Sequence, residues 1–189
     1  MKHYFILLVF CSVANTLTAQ QAITKPHFNN SANPPSLVDF NAYEKLTAEV
    51  NAYRYQHLIS LDTFLSWGQQ KDVIILDTRS DSMYNAKHVK GAIHLNFSDF
   101  SQESLRRLIP NPKTKILIYC NNNFDGDQRY FVTKAYVPPS KRIGKPITLA
   151  LNIPTYINLY GYGYRNVYEL ADLVSVFDGR IRFEGTSIK

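Results

Sequence analysis

Apolar positions along the chain switch between helical and extended spacing, and the switching marks out the elements. From Leu37 to Tyr53, apolar or aromatic residues recur at Val38, Tyr43, Leu46, Val50 and Tyr53. Most lie three or four apart, which is one face of a helix, and Asp39 or Ser36 is available to cap it. This helical extension takes in residues 37–57. A short extended piece, Leu58-Ile59, leads to Ser60 and Asp62, which can cap a helix running through Trp67, with Gly68 as its stop. Val73–Leu76 is a continuous β-branched-rich run that suits a strand buried on both faces. Ser80–Lys87 reads as a short helix, Ala92–Leu95 as a strand, and Ser101–Leu108 as a helix closed by Pro110-Asn111-Pro112. Lys115–Tyr119 gives a second apolar strand, KILIY. Helical spacing resumes over Ile147–Tyr160, and Asn166–Leu170 makes a further strand before a tail at 179–189. Strand and helix alternate throughout, so the expected fold is α/β with a central, mainly parallel sheet flanked by helices.

The two stretches outside this pattern are informative. Lys2 and His3 precede an apolar run from Tyr4 to Val13, and small residues follow up to Ala19, the layout of a secretory signal peptide over residues 1–19. Residues 20–36, with Pro26, Pro34, Pro35 and Asn29-Asn30, read as a flexible leader. The expected location is periplasmic or secreted. No later segment stays apolar for the roughly 18 residues a membrane span needs. Residues 121–146 lack periodicity and carry Pro138-Pro139, Gly144 and Pro146, so a loop or insertion at about 124–146 is expected.

Composition changes this picture little. The chain has 189 residues, 45% hydrophobic and 19% charged, with a net charge of +6. That is apolar material for one core, which argues against disorder and against a multi-pass membrane protein. The basic excess is spread along the chain without a Lys/Arg block, so no nucleic-acid partner is expected.

Cysteine usage matters more. Cys11 lies in the signal, so Cys120 is the one thiol of the mature chain. It follows an apolar strand, and the crevice beyond the carboxyl ends of the strands is where open α/β sheets bind ligands. Asn121, Asn122, Asn123 and Gly126 tolerate the backbone angles of a tight loop. Such a loop can turn several N–H groups toward a sulfur or an anion and favour a thiolate. A small buried hydrophobe is the alternative reading of the same residue.

Leu76-Asp77-Thr78-Arg79-Ser80, Tyr84, His88-Val89-Lys90-Gly91-Ala92-Ile93, Ile116–Cys120 and Gly163–Tyr168, in that order and spacing, resemble the rhodanese-like (sulfurtransferase) domain over about residues 58–178. The resemblance implies a five-stranded parallel sheet. It also implies a catalytic Cys120 that accepts a sulfane sulfur as a persulfide and passes it to a thiophilic acceptor. Asn121, Asn122, Asn123, Phe124, Asp125 and Gly126 fall on the active-site loop, and Asp77, Arg79, His88 and Gly91 on the upstream signature. Asp77 and Arg79 are expected to tie the loops above the sheet by charge-assisted hydrogen bonds, and His88 to be structural. The expected partner is a small sulfur donor or a thiol acceptor. No cofactor or metal is expected.

Departures from the family pattern bear on the chemistry. The loop carries Asp125 and Asp127, which are expected to repel a dianionic donor and disfavour the thiolate. Related phosphatases place an Arg six positions after the Cys; here that position is Gly126, so phosphatase activity is not expected. The insertion brings Arg129, Lys134, Lys141, Arg142 and Lys145, each read as a solvated face rather than a cover for the pocket. Ala171-Asp172 stands where many relatives have paired glycines. On the sequence, a sulfurtransferase and a non-catalytic binding or sensing module both stay open, with thiol exchange with a partner as a third reading.

Overall fold

The computed structural model describes residues 36–136, 147–148 and 150–188. The elements below all belong to one compact unit, Asp39–Lys189. The signal peptide, and the leader except Ser36, lie outside the described residues, as do residues 137–146 of the insertion.

Five strands, β1 (Leu58–Ile59), β2 (Val73–Asp77), β3 (Ile93–His94), β4 (Lys115–Tyr119) and β5 (Val167–Leu170), form the central sheet in the order β1-β5-β4-β2-β3. All its pairings are parallel. The two apolar runs, β2 and β4, are its centre, and their register sets Asp77 opposite Tyr119. Alternation sends Ile75, Leu117 and Tyr119 to one face and Leu76, Ile116 and Ile118 to the other. The first face is covered by α2 (Leu61–Gly68) through Leu61 and Phe64, together with Phe124, Phe131, Val174 and Ile181. On the second lie Val50 of α1 (Phe40–Tyr55), Leu105 of α4 (Gln102–Leu108), and Tyr156, Ile157 and Leu159 of α5 (Asn152–Gly161). A short helix, α3 (Asp81–Ala86), follows β2.

Local chemistry explains the boundaries. The Asp39 carboxylate accepts the Ala42 N–H at 2.9 Å and starts α1, and the Ser60 hydroxyl accepts from Thr63 to start α2. Gly68 is the last helical residue of α2 rather than a residue beyond its end. It packs closely there: a Cβ would come within 2.8 Å of the end of the Ile75 side chain, which would have to shift. The helix expected over Ile147–Tyr160 begins only at Asn152. Pro154 sits in its first turn, where a missing N–H costs nothing, and Ile147–Thr148 instead pairs antiparallel with Ala135–Tyr136. The tail is also anchored: Phe183–Glu184 pairs antiparallel with His88–Val89, and Thr186 and Ser187 donate to the carbonyls of Asn85 and Ala86.

Candidate active site

The carboxyl ends of β2 and β4 stop level with each other, and the residues just beyond them form the site. Asp77 and Arg79 are both buried, at 0% and 2% exposure. The Arg79 guanidinium holds the Asp77 carboxylate in a fork, with Nε 3.0 Å from both oxygens and Nη2 2.7 Å from Oδ2. It also donates to the carbonyls of Lys87 and Tyr130, and it lies 4.6 Å over the Phe131 ring. One side chain thereby ties three segments, the charge-assisted bracing that the pairing of these residue types suggests. Burial alone would weaken the guanidinium's charge, but the hydrogen bond and charge of Asp77 outweigh it and hold Arg79 protonated. The Tyr119 hydroxyl donates to Asp77 Oδ2 and accepts from Val89 N. Burial first, and then the Asp77 charge, push that phenol well above its ordinary value.

Cys120 continues β4 with extended backbone (φ −147°, ψ 176°) and is only 1% exposed. A 3₁₀ turn, Asn121–Asn123, follows it. The Asn123 N–H reaches the sulfur, and Asn123 Oδ1 accepts the Cys120 N–H at 2.9 Å. The Asn123 amide nitrogen donates to the carbonyls of Leu170 and Asp172, so one side chain fastens the turn to the end of β5. Asp172 accepts the Leu61 N–H at the start of α2.

The rest of the expected active-site loop divides. Asn121 places its Oδ1 3.5 Å from Arg79 Nη1, and the Asn122 Oδ1 accepts the Lys134 N–H at 2.8 Å. Phe124 is buried against Phe131, and Phe124–Asp125 pairs with Val174–Ser175. Asp125 is exposed and bonds the Gly126 N–H. Gly126 takes a positive φ of 91°, beside Phe177.

Asp127 is ion-paired with Lys87 at 2.8 Å. Burial opposes its ionisation, yet the hydrogen bond and charge of Lys87 hold its carboxyl below the ordinary value. Its charge is therefore locally neutralised, contrary to the expectation of an unopposed loop carboxylate.

His88 is buried in a structural setting. Its Nδ1 meets the Tyr84 carbonyl at 2.6 Å, its ring stacks on Tyr84, and Nε2 lies 3.4 Å from Glu184. Gly91 turns the chain at φ 83°.

A crevice of about 360 Å³ opens at this edge of the sheet, lined in part by Arg79, Ser80, Asn96, Asn121, Lys134 and Leu151. Cys120 does not line it, although its neighbour Asn121 does. Lys134 therefore faces the site as well as solvent, unlike Arg129, which is exposed beside Tyr130. Lys141, Arg142 and Lys145 lie outside the described residues. A larger apolar groove of about 560 Å³ runs along α1 between Phe40 and Arg54, lined also by Ile153 and Ile157; no nucleophile lines it.

Sequence reasoning missed Tyr119 and Phe131, and it placed Asn123 on the loop without its clamping role. The alternation of KILIY puts Tyr119 on the Leu117 face and could have pointed to it. Phe131 sits in a stretch without period, and the clamp of Asn123 onto Leu170 joins positions far apart in sequence.

The rhodanese-like domain model matches residues 60–172, and the chain belongs to that family. Solved structures to which the chain is similar include the BH2092 protein of Bacillus halodurans, at 17% identity, covering 78% of this chain and 88% of that one, with a TM-score of 0.44. Another is a rhodanese with anions from E. coli, at 17% identity, covering 60% and 98%, with a TM-score of 0.36. A thiosulfate sulfurtransferase from Pseudomonas aeruginosa shares 18% identity over 69% of this chain and 21% of that one, with a TM-score of 0.39. No curated protein matches the chain.

Proposed function

We propose that this chain is an exported sulfurtransferase whose sulfur acceptor is Cys120. The observation that carries the reading is the placement of this thiol: first residue beyond a central parallel strand, in a turn that donates an N–H to its sulfur, next to Asn121, which lines a crevice. In the first step the Cys120 thiolate attacks the outer sulfur of a persulfide donor. The donor's S–S bond breaks, its thiolate leaves, and a persulfide forms on Cys120. An acceptor thiolate then attacks the terminal sulfur, takes it as its own persulfide, and returns Cys120 to the thiolate. Donor and acceptor are small sulfur compounds or thiols. Because Cys120 is 1% exposed, the turn at Asn121–Asn123 has to open for either partner to reach its sulfur.

That same burial favours a second reading, a rhodanese-like binding or sensing module in which Cys120 is an inert part of the turn. Turnover separates the two. With polysulfide or a thiol persulfide as donor and cyanide as acceptor, the sulfurtransferase forms thiocyanate, and Cys120→Ser abolishes this while leaving the unfolding midpoint close to wild type. Absence of turnover with every donor favours the module. Export predicts a mature protein that begins at or near Gln20 when recovered from its native host; an intact Met1 on cytoplasmic material contradicts it.

A further inference from the structure

Helix α1 precedes the stretch matched by the rhodanese-like domain, which begins at residue 60, and only part of its surface is used in the fold. Val50 is buried, and Leu46 and Tyr53 pack beside it. The neighbouring face carries Phe40, Glu44, Thr47, Asn51 and Arg54, spaced alternately four and three apart. That spacing makes a straight seam, the pattern by which one helix meets another along its length. The seam lines the groove of about 560 Å³, and Ile153 and Ile157 of α5 form its other wall. The two ends of the seam differ. Asn152 and Arg54 both bond the Glu169 carboxylate, which brings the start of α5 beside the Arg54 end and makes a hollow there. At the other end α5 has already stopped, because its last residue, Gly161, lies beside Leu46. Phe40 projects beyond it and is 73% exposed. Charge is divided in the same way. Glu44 makes no ion pair among the described residues, whereas Arg54 gives Nε and Nη2 to Glu169 and keeps Nη1.

We propose that this face is where two copies of the chain pair, their α1 helices antiparallel about a two-fold axis near Thr47. A knob at one end of a seam and a hollow at the other are complementary to a second copy under that symmetry. Phe40 of each copy enters the hollow between the partner's Arg54 and the partner's Ile153, and Glu44 comes within a turn of the partner's Arg54. Thr47 and Ala48, the small residues at the middle, let the two helices approach closely. A parallel pairing would set Phe40 on Phe40 and leave both hollows empty. An apolar small molecule would fill the groove but leave Glu44 without a counter-charge. One helix and its flank make a small interface, so the pairing is expected to be reversible, with a Kd on the order of tens of micromolar. Cys120 takes no part in it, so pairing is independent of sulfur transfer.

Sedimentation velocity of the mature protein, from about 1 to about 300 µM, spans that value and is expected to show a monomer–dimer equilibrium. Phe40→Asp removes the knob at an exposed position and is expected to weaken pairing by about tenfold or more, with the unfolding midpoint close to wild type. Glu44→Lys sets a cation beside the partner's Arg54 and is expected to weaken pairing by about threefold to tenfold, with part of the loss recovered in added salt. A monomer at every concentration overturns the proposal and leaves the groove to another segment of the chain or to a small ligand. A dimer indifferent to both substitutions overturns it as well, because the contact then lies elsewhere.

Disulfide trapping reads the register. Thr47→Cys, beside the axis, is expected to form a covalent dimer under mild oxidation. Tyr55→Cys, near the end of α1 and 77% exposed, is expected to stay monomeric over the same time. Antiparallel pairing about Thr47 holds the two 55 positions about 24 Å apart along the helices, at about 1.5 Å per residue. Cys120 is buried and does not compete for the oxidant. Equal trapping at both positions, or trapping at Tyr55→Cys alone, overturns the antiparallel pairing.

Discussion

The two sides of the site are built by different physics. On the β2 side, Asp77, Arg79 and Tyr119 form a closed network, buried to 2% exposure or less, with charges paired and partners drawn from three segments. On the Cys120 side, the turn and the insertion hang on single side-chain clamps: Asn123 to Leu170 and Asp172, Asn122 to Lys134, Asp127 to Lys87. A buried, fully satisfied network has one low-energy arrangement. A turn held by a few individual hydrogen bonds can open locally at a fraction of the global unfolding free energy. The rigid half fixes the ends of β2 and β4, and under the sulfurtransferase proposal the clamped half is the part that must open to expose Cys120.

Breaking the rigid half is expected to have the largest effect. Arg79→Met leaves the Asp77 carboxylate buried without its partner, which costs about 3–5 kcal/mol and is read as a fall in the urea midpoint. Truncating the sheet beneath the network comes next. Leu117→Ala, at a fully buried position between the faces of α2 and β4, is expected to cost roughly 2–5 kcal/mol in the same assay.

The clamped half is expected to respond differently. Asn123→Ala removes the acceptor for Cys120 N and the donor to β5, at a cost of about 1–3 kcal/mol. It is also expected to speed alkylation of native Cys120 by iodoacetamide well beyond the rate in Leu117→Ala. If equal loss of stability gives equal alkylation in both variants, access is governed by global unfolding, and the contrast between the two halves fails.

The smallest effect is acid-dependent. Because Lys87 depresses the Asp127 carboxyl in the folded state, their pairing stabilises the fold above the ordinary Asp value near 4. That contribution is lost as pH falls through the lowered folded value. Asp127→Asn is therefore expected to reduce stability slightly at neutral pH and to flatten its decline in acid, as measured by urea midpoints across the range.

The rigid half was also the legible one. Continuous apolar runs reveal β2 and β4, because strands buried on both faces leave no polar alternation to confuse the reading. Once they are parallel and level, Asp77, Arg79 and Cys120 must share one edge. Ser60 and Asp39 announce helix starts because their side chains do the capping themselves. The clamped half was opaque for the opposite reason: Asn123, Phe131 and Lys134 act through contacts to distant residues that leave no local period. The apolar spacing from Ile147 misplaced the start of α5, since the first pair of that run extends a hairpin across the insertion. Charge misled as well. Asp125 and Asp127 look dominant in the loop sequence, but folding leaves the first exposed on the Gly126 N–H and pairs the second with Lys87.

The claim that Cys120 accepts sulfur is tested most directly by the mass of its own peptide. The mature protein is incubated with polysulfide, thiosulfate and a thiol persulfide, then blocked, digested and weighed, with Asn123→Ala alongside. The account predicts one added sulfur on the Cys120 peptide from at least one donor, faster loading in Asn123→Ala, and removal of the sulfur by an acceptor thiol. An unmodified Cys120 with every donor in both proteins, its thiol detectable only after denaturation, would contradict it.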